Sequence, residues 1–540
     1  MSASREKKQR QNDPNQGLSQ KQRKELEEQK AAKHKAILYT VIGIVVAALV
    51  VVLLVWHSGF FQSRTTAVSV GGRDYSPADV EYYYRSLVQY EYYQTYAFDP
   101  QSDLRTQYVD ANQTQSYHDK FLQTTLETLT EVAAVENAAE AEGFTLTQEE
   151  LDHVAASVNT MKENASSNGY TYATYLKAVF GPYMTPSRYE TCMKRAALVN
   201  SYTTKISDSF AVSDEEIQTY YEAHAAELDS YDYRYLFISG TAPSGTDSEG
   251  NTVEATEEEK AAALAAAKVK ADELVSKVSA ADDRSAAFAE LAPDYVAESS
   301  RASYESDPDY SLRTGTSGSS LSSYSTYGSW LTDADRKAGD VEVIEGSGGY
   351  YVVLFLDRYL DETPTADIRH ILIKAELTQE DDAATSDVDE SAVPTQEALD
   401  AAKAEAEDLL AQWESGERTA ESFGALAEAH SDDTGSNTNG GLYEAVYDGQ
   451  MFAGFNDWIF NDEHTQGDTG LIENTQSGQQ GWHVIYFQSW NDPKWTISVR
   501  NTLLNDQLTA WVNGLTEGLE VVEGSGLSYV GRAGLPDQPT

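Results

Sequence analysis

Cysteine is nearly absent: Cys192 is the single one in 540 residues. No intrachain disulfide can form, so packing alone must hold each domain together. Tyr189-Glu190-Thr191-Cys192-Met193 reads as helix, where a buried structural thiol is the expected state. Histidine is scarce as well. The nine present show no metal-ligand spacing, no Gly-rich phosphate loop occurs, and no nucleophile is paired with a base. The Asp/Glu clusters have the composition to hold Ca²⁺, but none follows the EF-hand pattern. No cofactor and no metal is expected.

Basic residues are few and segregated. The chain carries 39 Lys and Arg against 87 Asp and Glu, a formal net charge of −48. Residues 1–35 hold 10 of the basic residues against 5 acidic ones, so everything beyond is more acidic still. A body of that charge repels nucleic acid, which excludes it as a partner. A solvated acidic surface is the plain account of the charge, and attraction of basic clients is the alternative. Hydrophobic residues make up 41%, enough for globular cores, and the length suits several domains.

Long apolar runs are absent but for one, Ala36 to Trp56. At about 1.5 Å per residue it spans the ~30 Å hydrocarbon layer of a bilayer. Lys30, Lys33 and Lys35 flank its N-terminal end. The positive-inside bias then puts residues 1–35 in the cytoplasm as a basic tail, 36–56 in the membrane, and residues 57–540 outside. A cleaved signal peptide is the competing reading. The long basic region, the length of the run and the lack of a small-x-small site favour an uncleaved, single-pass anchor in the cell membrane.

Residues 66–229 read as a short strand followed by helices. Val68 and Val70 alternate before Gly71-Gly72, and Ser76-Pro77 with Asp79 and Glu81 opens a helix. Thr147 with Glu149 and Glu150, and Ser213 with Asp214 and Glu216, repeat the start signal. Helices are expected around 116–142, 147–163, 170–178, 186–207 and 213–227. Tyr82, Tyr83, Tyr84, Tyr90, Tyr92, Tyr93 and Tyr96 crowd the first helix. They suit a core and its exposed flank, or an aromatic crevice for unfolded chains. The strand with its Val-Gly-Gly turn, the Ser-Pro start and the Thr/Ser-x-Glu-Glu helices resemble the N-terminal chaperone domain of the SurA and PrsA family of exported foldases.

Residues 230–360 and 364–490 look like two copies of one α+β unit. Arg234-Tyr235-Leu236-Phe237-Ile238 parallels Arg369-His370-Ile371-Leu372-Ile373, and Phe288-Ala289-Glu290-Leu291-Ala292 parallels Phe423-Gly424-Ala425-Leu426-Ala427. Ile344-Glu345 parallels Ile472-Glu473, and Gly349-Tyr350-Tyr351-Val352 parallels Gly481-Trp482-His483-Val484. Both histidines of the second copy are tyrosines in the first, Tyr235 and Tyr351, and the Asp433 position falls on Glu298. The first copy therefore reads as the fold without its site. Polar insertions follow the first strand of each copy, at about 240–258 and 377–394.

The second copy resembles the parvulin class of peptidyl-prolyl cis-trans isomerases. Seven pieces carry the resemblance in order: His370-Ile371-Leu372-Ile373-Lys374, Phe423-x-x-Leu426-Ala427, Ser431-Asp432-Asp433, Gly440-Gly441-Leu442, Gly449-Gln450-Met451 with Phe455, Gly467-Asp468, and Gly481-Trp482-His483. The resemblance implies a catalytic set of His370, Asp433 and His483. It also implies a proline cup of Leu442, Met451 and Phe455, and a reaction without metal, nucleophile or cofactor. Alternation puts His370 on one face with Leu372, and His483 on one face with Ile485 and Phe487. Whether the histidines act on the amide or only shape the site stays open. The serine or threonine usual before the final Gly-x-His is replaced by Gly478-Gln479-Gln480, so one hydrogen-bond donor is missing from the pattern. Glu376, Glu380, Asp381 and Asp382 follow the first strand, which disfavours a phosphoserine-proline preference.

The expected architecture is α+β throughout the two parvulin-like domains, the first degenerate. A transmembrane helix and an α-helical SurA-N-like chaperone domain precede them. An amphipathic helix over 495–519 packs back on the chaperone domain, and 520–540 is a tail. The expected function is a membrane-anchored extracytoplasmic foldase that isomerises X-Pro bonds in exported proteins and binds unfolded or nascent clients. The alternative is a non-catalytic holdase or a cell-envelope scaffold whose parvulin folds only bind.

Overall fold

Helix after helix in the N-terminal region starts on the same local chemistry. The Ser76, Thr147 and Ser213 side chains each accept from the backbone N–H three residues on, and Asp79, Glu150 and Glu216 accept from the cap N–H in return. These reciprocal bonds satisfy donors that no helical turn can reach. The computed structural model describes residues 62–246, 252–324, 326–377, 393–461 and 463–532, with residues 21, 24, 40–42 and 44–51. Of the apolar run 36–56, residues 40–42 and 44–51 are helical and exposed; the rest of it lies outside the described residues. Most of the basic tail and most of the 377–394 insertion also lie outside them. Among the described residues no helix is long and apolar enough to cross a membrane.

The chain divides into two units, 1–211 with 506–540, and 212–505. The first unit holds β1 (Val68–Val70), β2 (Arg73–Tyr75), α1 (Pro77–Thr95), α2 (Tyr117–Ala141), α3 (Gln148–Ser167), α4 (Tyr172–Phe180) and α5 (Pro186–Ser207). Its core joins Val68, Val70, Tyr75, Tyr84, Phe121 and Leu129. The tyrosines of α1 divide. Tyr84 is buried in this core, Tyr82, Tyr83 and Tyr92 are half-buried, and Tyr90, Tyr93 and Tyr96 are exposed. Cys192 is buried beside Asp79, and burial pushes its thiol up to about 12. Asp79 itself is fully buried and ion-paired to Arg188 at 2.5 Å and Arg195 at 3.4 Å, as a desolvated carboxylate must be.

The C-terminal segment is woven into this unit. Trp511 and Leu515 pack around Val135, Ala139 and Tyr202. Residues 520–532 do not form a tail: β1 pairs with Val522–Glu523, Val530 is 1% exposed in the core, and the Gly531 N–H donates to Glu81 at 2.8 Å. A two-residue strand is too short to leave a periodic signal in the sequence, which is why the segment reads as a tail.

The second unit begins with α6 (Asp214–Leu228) and carries two modules. The first has β3 (Ser230–Ser239), α7 (Glu257–Ser279), α8 (Arg284–Tyr295), α9 (Glu298–Ser306), β4 (Leu312–Ser317), the short α10 (Gly318–Tyr324) and α11 (Gly328–Leu331), β5 (Val341–Gly346) and β6 (Gly349–Tyr359). The second has β7 (Pro364–Lys374), α12 (Gln396–Ser415), α13 (Ala420–His430), β8 (Leu442–Val446), α14 (Ala453–Phe460), β9 (Thr469–Asn474) and β10 (Gly481–Pro493). A last helix, α15 (Lys494–Thr516), leads out of the unit. The sheet orders are β4-β3-β6-β5 and β8-β7-β10-β9. Strand for strand these are the same antiparallel topology, so the internal repeat is a repeat of fold.

In the second module the sheet has two buried faces. Ile371, Ile373, Val484 and Tyr486 pack on α12 and α13 through Ala402, Ala406, Leu409, Trp413 and Phe423. Ala366, Ile368, Ile485 and Phe487 face the other way, toward Phe455 and Ile459 of α14. Period-two alternation along β7 and β10 thus assigns His370 and His483 to the α14 side.

Candidate active site

Strand register brings the two histidines together. β7 and β10 pair antiparallel with His370 opposite Ile485 and Leu372 opposite His483. The rings lie on one face of adjacent central strands, 5.0 Å apart, with Nδ1 to Nδ1 at 2.9 Å. Asp433 arrives from the loop after α13. That loop is stitched along β7 beyond its pairing with β8: the Leu372 N–H donates to Ser431 Oγ at 3.1 Å, the Asp432 N–H to the Leu372 carbonyl at 2.8 Å, and the Lys374 N–H to the Asp432 carboxylate at 2.9 Å. The two neighbouring acids therefore differ in task. Asp432 fastens the loop, and Asp433 meets His370 Nε2 at 2.9 Å.

Asp433 is the hub. Its Oδ2 also accepts from Ser436 Oγ at 2.5 Å and Tyr443 Oη at 3.0 Å, and its Oδ1 from the Gly435 N–H at 3.1 Å. The His370 N–H above all, then the Ser436 hydroxyl, hold this carboxyl well below the usual carboxylate range. At the other end of the chain, His483 Nε2 lies 3.0 Å from Asn474 Nδ2. Burial above all pushes His483 from its ordinary 6.5 down to about 3. Burial and the neighbouring Asp433 raise Tyr443.

Aromatic rings wall the network. Phe455 stands edge-on to both imidazoles, 5.7 Å from His370 and 5.3 Å from His483, and Phe452 lies 5.4 Å from His483. Met451 is half-buried in the same apolar cluster. Phe455 thus stands beside the histidines and Met451 packs in the cluster around it. Leu442 does neither. It is in register with Arg369, which belongs to the opposite face of β7, and Tyr443 in register with Ile368 takes the place on the site face. The reason is local: Gly440 and Gly441 both adopt positive φ and the strand bulges before Val446, where Ala445 has φ 51°. A Cβ on Gly441 would lie 2.2 Å from the His370 carbonyl oxygen, so only glycine permits the approach.

Ser436, Tyr443, Phe452 and Asn474 are site residues that motif reading passes over. Ser436 and Asn474 are buried, and each bonds a member of the network. Among the described residues no cluster of His, Cys, Asp or Glu is arranged to hold a metal. The first module fills the same face with tyrosines. Tyr235 and Tyr351 lie 6.5 Å apart with Tyr327 against both. Glu298, at the sequence position of Asp433, is 87% exposed and paired with Arg301 at the start of α9.

Residues 370–489 match the family model of the PPIC-type peptidyl-prolyl isomerase domain. The second module is a parvulin-type domain. Residues 26–203 match the family model of the SurA-like N-terminal domain. The chain thus combines a SurA-like N-terminal domain with a PPIC-type isomerase domain. No curated protein matches it. Among solved structures, PrsA of Bacillus anthracis is 19% identical over 29% of this chain, with a TM-score of 0.17. The chain spans 58% of that protein's length. PrsA of Bacillus cereus is 16% identical over 51% of this chain and 90% of its own, with a TM-score of 0.20. A SurA-like chaperone of Campylobacter jejuni is 11% identical over 83% of this chain and 94% of its own, with a TM-score of 0.12. The domain assignment rests on the two family matches.

Proposed function

We propose that this protein is an extracytoplasmic foldase whose parvulin-type domain isomerises X-Pro peptide bonds and whose helical unit holds unfolded clients. The observation that carries the isomerase reading is the hydrogen-bonded chain Asp433–His370–His483–Asn474 set under an aromatic cup. Amide resonance maintains a barrier of roughly 18–20 kcal/mol between planar states of nearly equal energy. A catalyst must therefore bind the twisted amide better than either planar form. Twisting reduces the charge separation of the amide, so a dry apolar wall favours the twisted state relative to water. Met451, Phe452 and Phe455 supply that wall for the pyrrolidine ring. The carboxylate of Asp433, beside Tyr443, supplies a fixed charge at the site's polar edge.

The helical unit supports the holding role through the exposed rings of Tyr90, Tyr93 and Tyr96 and an apolar groove of about 710 Å³ between α3 and α5, lined by Phe144, Val154, Met193 and Ala197. Tyrosine offers large contact area with few rotors to freeze. We place the apolar run 36–56 in the membrane as a single anchor, with the N-terminus cytoplasmic.

Exchange spectroscopy of an X-Pro peptide with the full-length protein tests the enzyme reading. Acceleration of cis-trans exchange is expected, with a large loss in His370→Ala. No acceleration by the wild type refutes it, and suppression of client aggregation in that case favours a pure holdase.

A further inference from the structure

The polarity of the hydrogen-bonded chain is set at its far end. The Gln476 N–H donates to Asn474 Oδ1 at 2.9 Å. That bond fixes which way the buried amide points, leaving Nδ2 as the atom 3.0 Å from His483 Nε2. An amide nitrogen only donates, so His483 Nε2 must accept and carries no proton. The one proton of a neutral His483 then sits on Nδ1 and is donated to His370 Nδ1 at 2.9 Å. His370 in turn keeps its proton on Nε2 and donates it to Asp433. One backbone N–H thus propagates a single direction through four side chains, with both rings neutral and every buried nitrogen satisfied.

The first module supplies an internal control. Gly346 pairs with Gly349 as Asn474 pairs with Gly481, so glycine stands at the asparagine position where the histidines are tyrosines. A Cβ on Gly346 would lie 2.6 Å from the Tyr351 ring. Tyrosine with glycine and histidine with asparagine are two alternative fillings of one space. The change of ring and the loss of the amide go together. Nor can a hydroxyl donor come from the usual place in the second module: Gly478 there turns with φ 75°, a conformation that β-branched threonine resists.

We propose that Asn474 is the positioning residue that replaces the missing hydroxyl donor and sets the tautomers of His483 and His370. Its effect on turnover rests on the isomerase reading above, but its effect on the rings does not. The test is ¹⁵N NMR of the full-length protein labelled at histidine, with resonances assigned from His370→Gln and His483→Gln variants. Expected at neutral pH are a protonated Nδ1 on His483 and a protonated Nε2 on His370. Asn474→Asp offers an acceptor in place of the donor. It should move the His483 proton to Nε2 and leave His370 protonated on both nitrogens. Asn474→Leu should abolish the preference, and both variants should lower kcat/KM about tenfold or more.

A wild-type His483 protonated on Nε2 overturns the proposal, and does so even if no variant folds. Unchanged tautomers in Asn474→Asp overturn it as well. Altered tautomers with unchanged kcat/KM overturn the positioning role. The expected wild-type tautomers in a protein without isomerase activity leave this assignment standing and refute the enzyme reading instead.

Discussion

Mild acid should loosen the parvulin-type domain through His483. The ring is held neutral in the folded domain, its pKa lowered to about 3 from an ordinary 6.5, mainly by burial. Between those values the unfolded chain takes up a proton that the folded domain refuses. Stability is therefore complete above about 6.5 and falls as the pH falls toward 3. At about 1.4 kcal/mol per unit, moving from pH 7 to pH 5 removes about 2 kcal/mol. That corresponds to roughly a thirtyfold rise in the population of opened domain. Asp433 acts in the same direction but lower down, because its carboxyl is depressed from an ordinary 3.8 and its contribution is lost only beneath that value. The window from 7 to 5 thus separates His483 from Asp433, and the His483→Phe comparison picks out its share. Hydrogen exchange of the β7 and β10 amides in the full-length protein, corrected for intrinsic rates, reads the domain without interference from the helical unit. His483→Phe keeps an aromatic ring among Phe452 and Phe455 but cannot titrate. It starts less stable, since His370 Nδ1 loses its partner, yet its protection should change about 2 kcal/mol less than the wild type's across the window. Equal changes in the two proteins would refute the buried neutral histidine and the hydrogen-bond polarity built on it.

Gly441→Ala should destabilise the same domain by about 2–4 kcal/mol, because the position has φ 72° and its Cβ would collide with the His370 carbonyl; the urea midpoint checks it. Restoring histidines in the first module, as Tyr235→His with Tyr351→His and Gly346→Asn, should create no isomerase activity in a His370→Ala, His483→Ala background. The carboxylate at the Asp433 position there is exposed and paired with Arg301. Exchange spectroscopy of an X-Pro peptide reads the result.

What was legible in the sequence was what local chemistry and regular periods dictate. The caps at Ser76, Thr147 and Ser213 announce their helices because each closes bonds within four residues. The facing of His370 and His483 follows from alternation, which β7 and β10 obey through the site. Leu442 was misplaced because its cup role came with the Gly-Gly-Leu motif. Here two left-handed glycines precede the strand and the bulge at Ala445 interrupts its pleat, and the motif position does not carry the face. The C-terminal strand was lost because two residues carry no period.

Asn474 escaped for another reason: its partner lies on a neighbouring strand and no motif contains it. Yet the repeat held the signal. The spacing that aligns Ile472-Glu473 with Ile344-Glu345 puts the next residue, Asn474, on Gly346, so three positions that are buried in the second copy change together between the copies. Arg234 and Arg369 behave in the opposite way. Each fastens the loop beside its sheet edge, Arg234 on Pro308 and Asp309, Arg369 on Asn439 and Gly440, and both are kept. Residues retained in both copies serve the fold. Residues exchanged as a compensated set, two histidines and an asparagine for two tyrosines and a glycine, mark what the second copy does beyond folding.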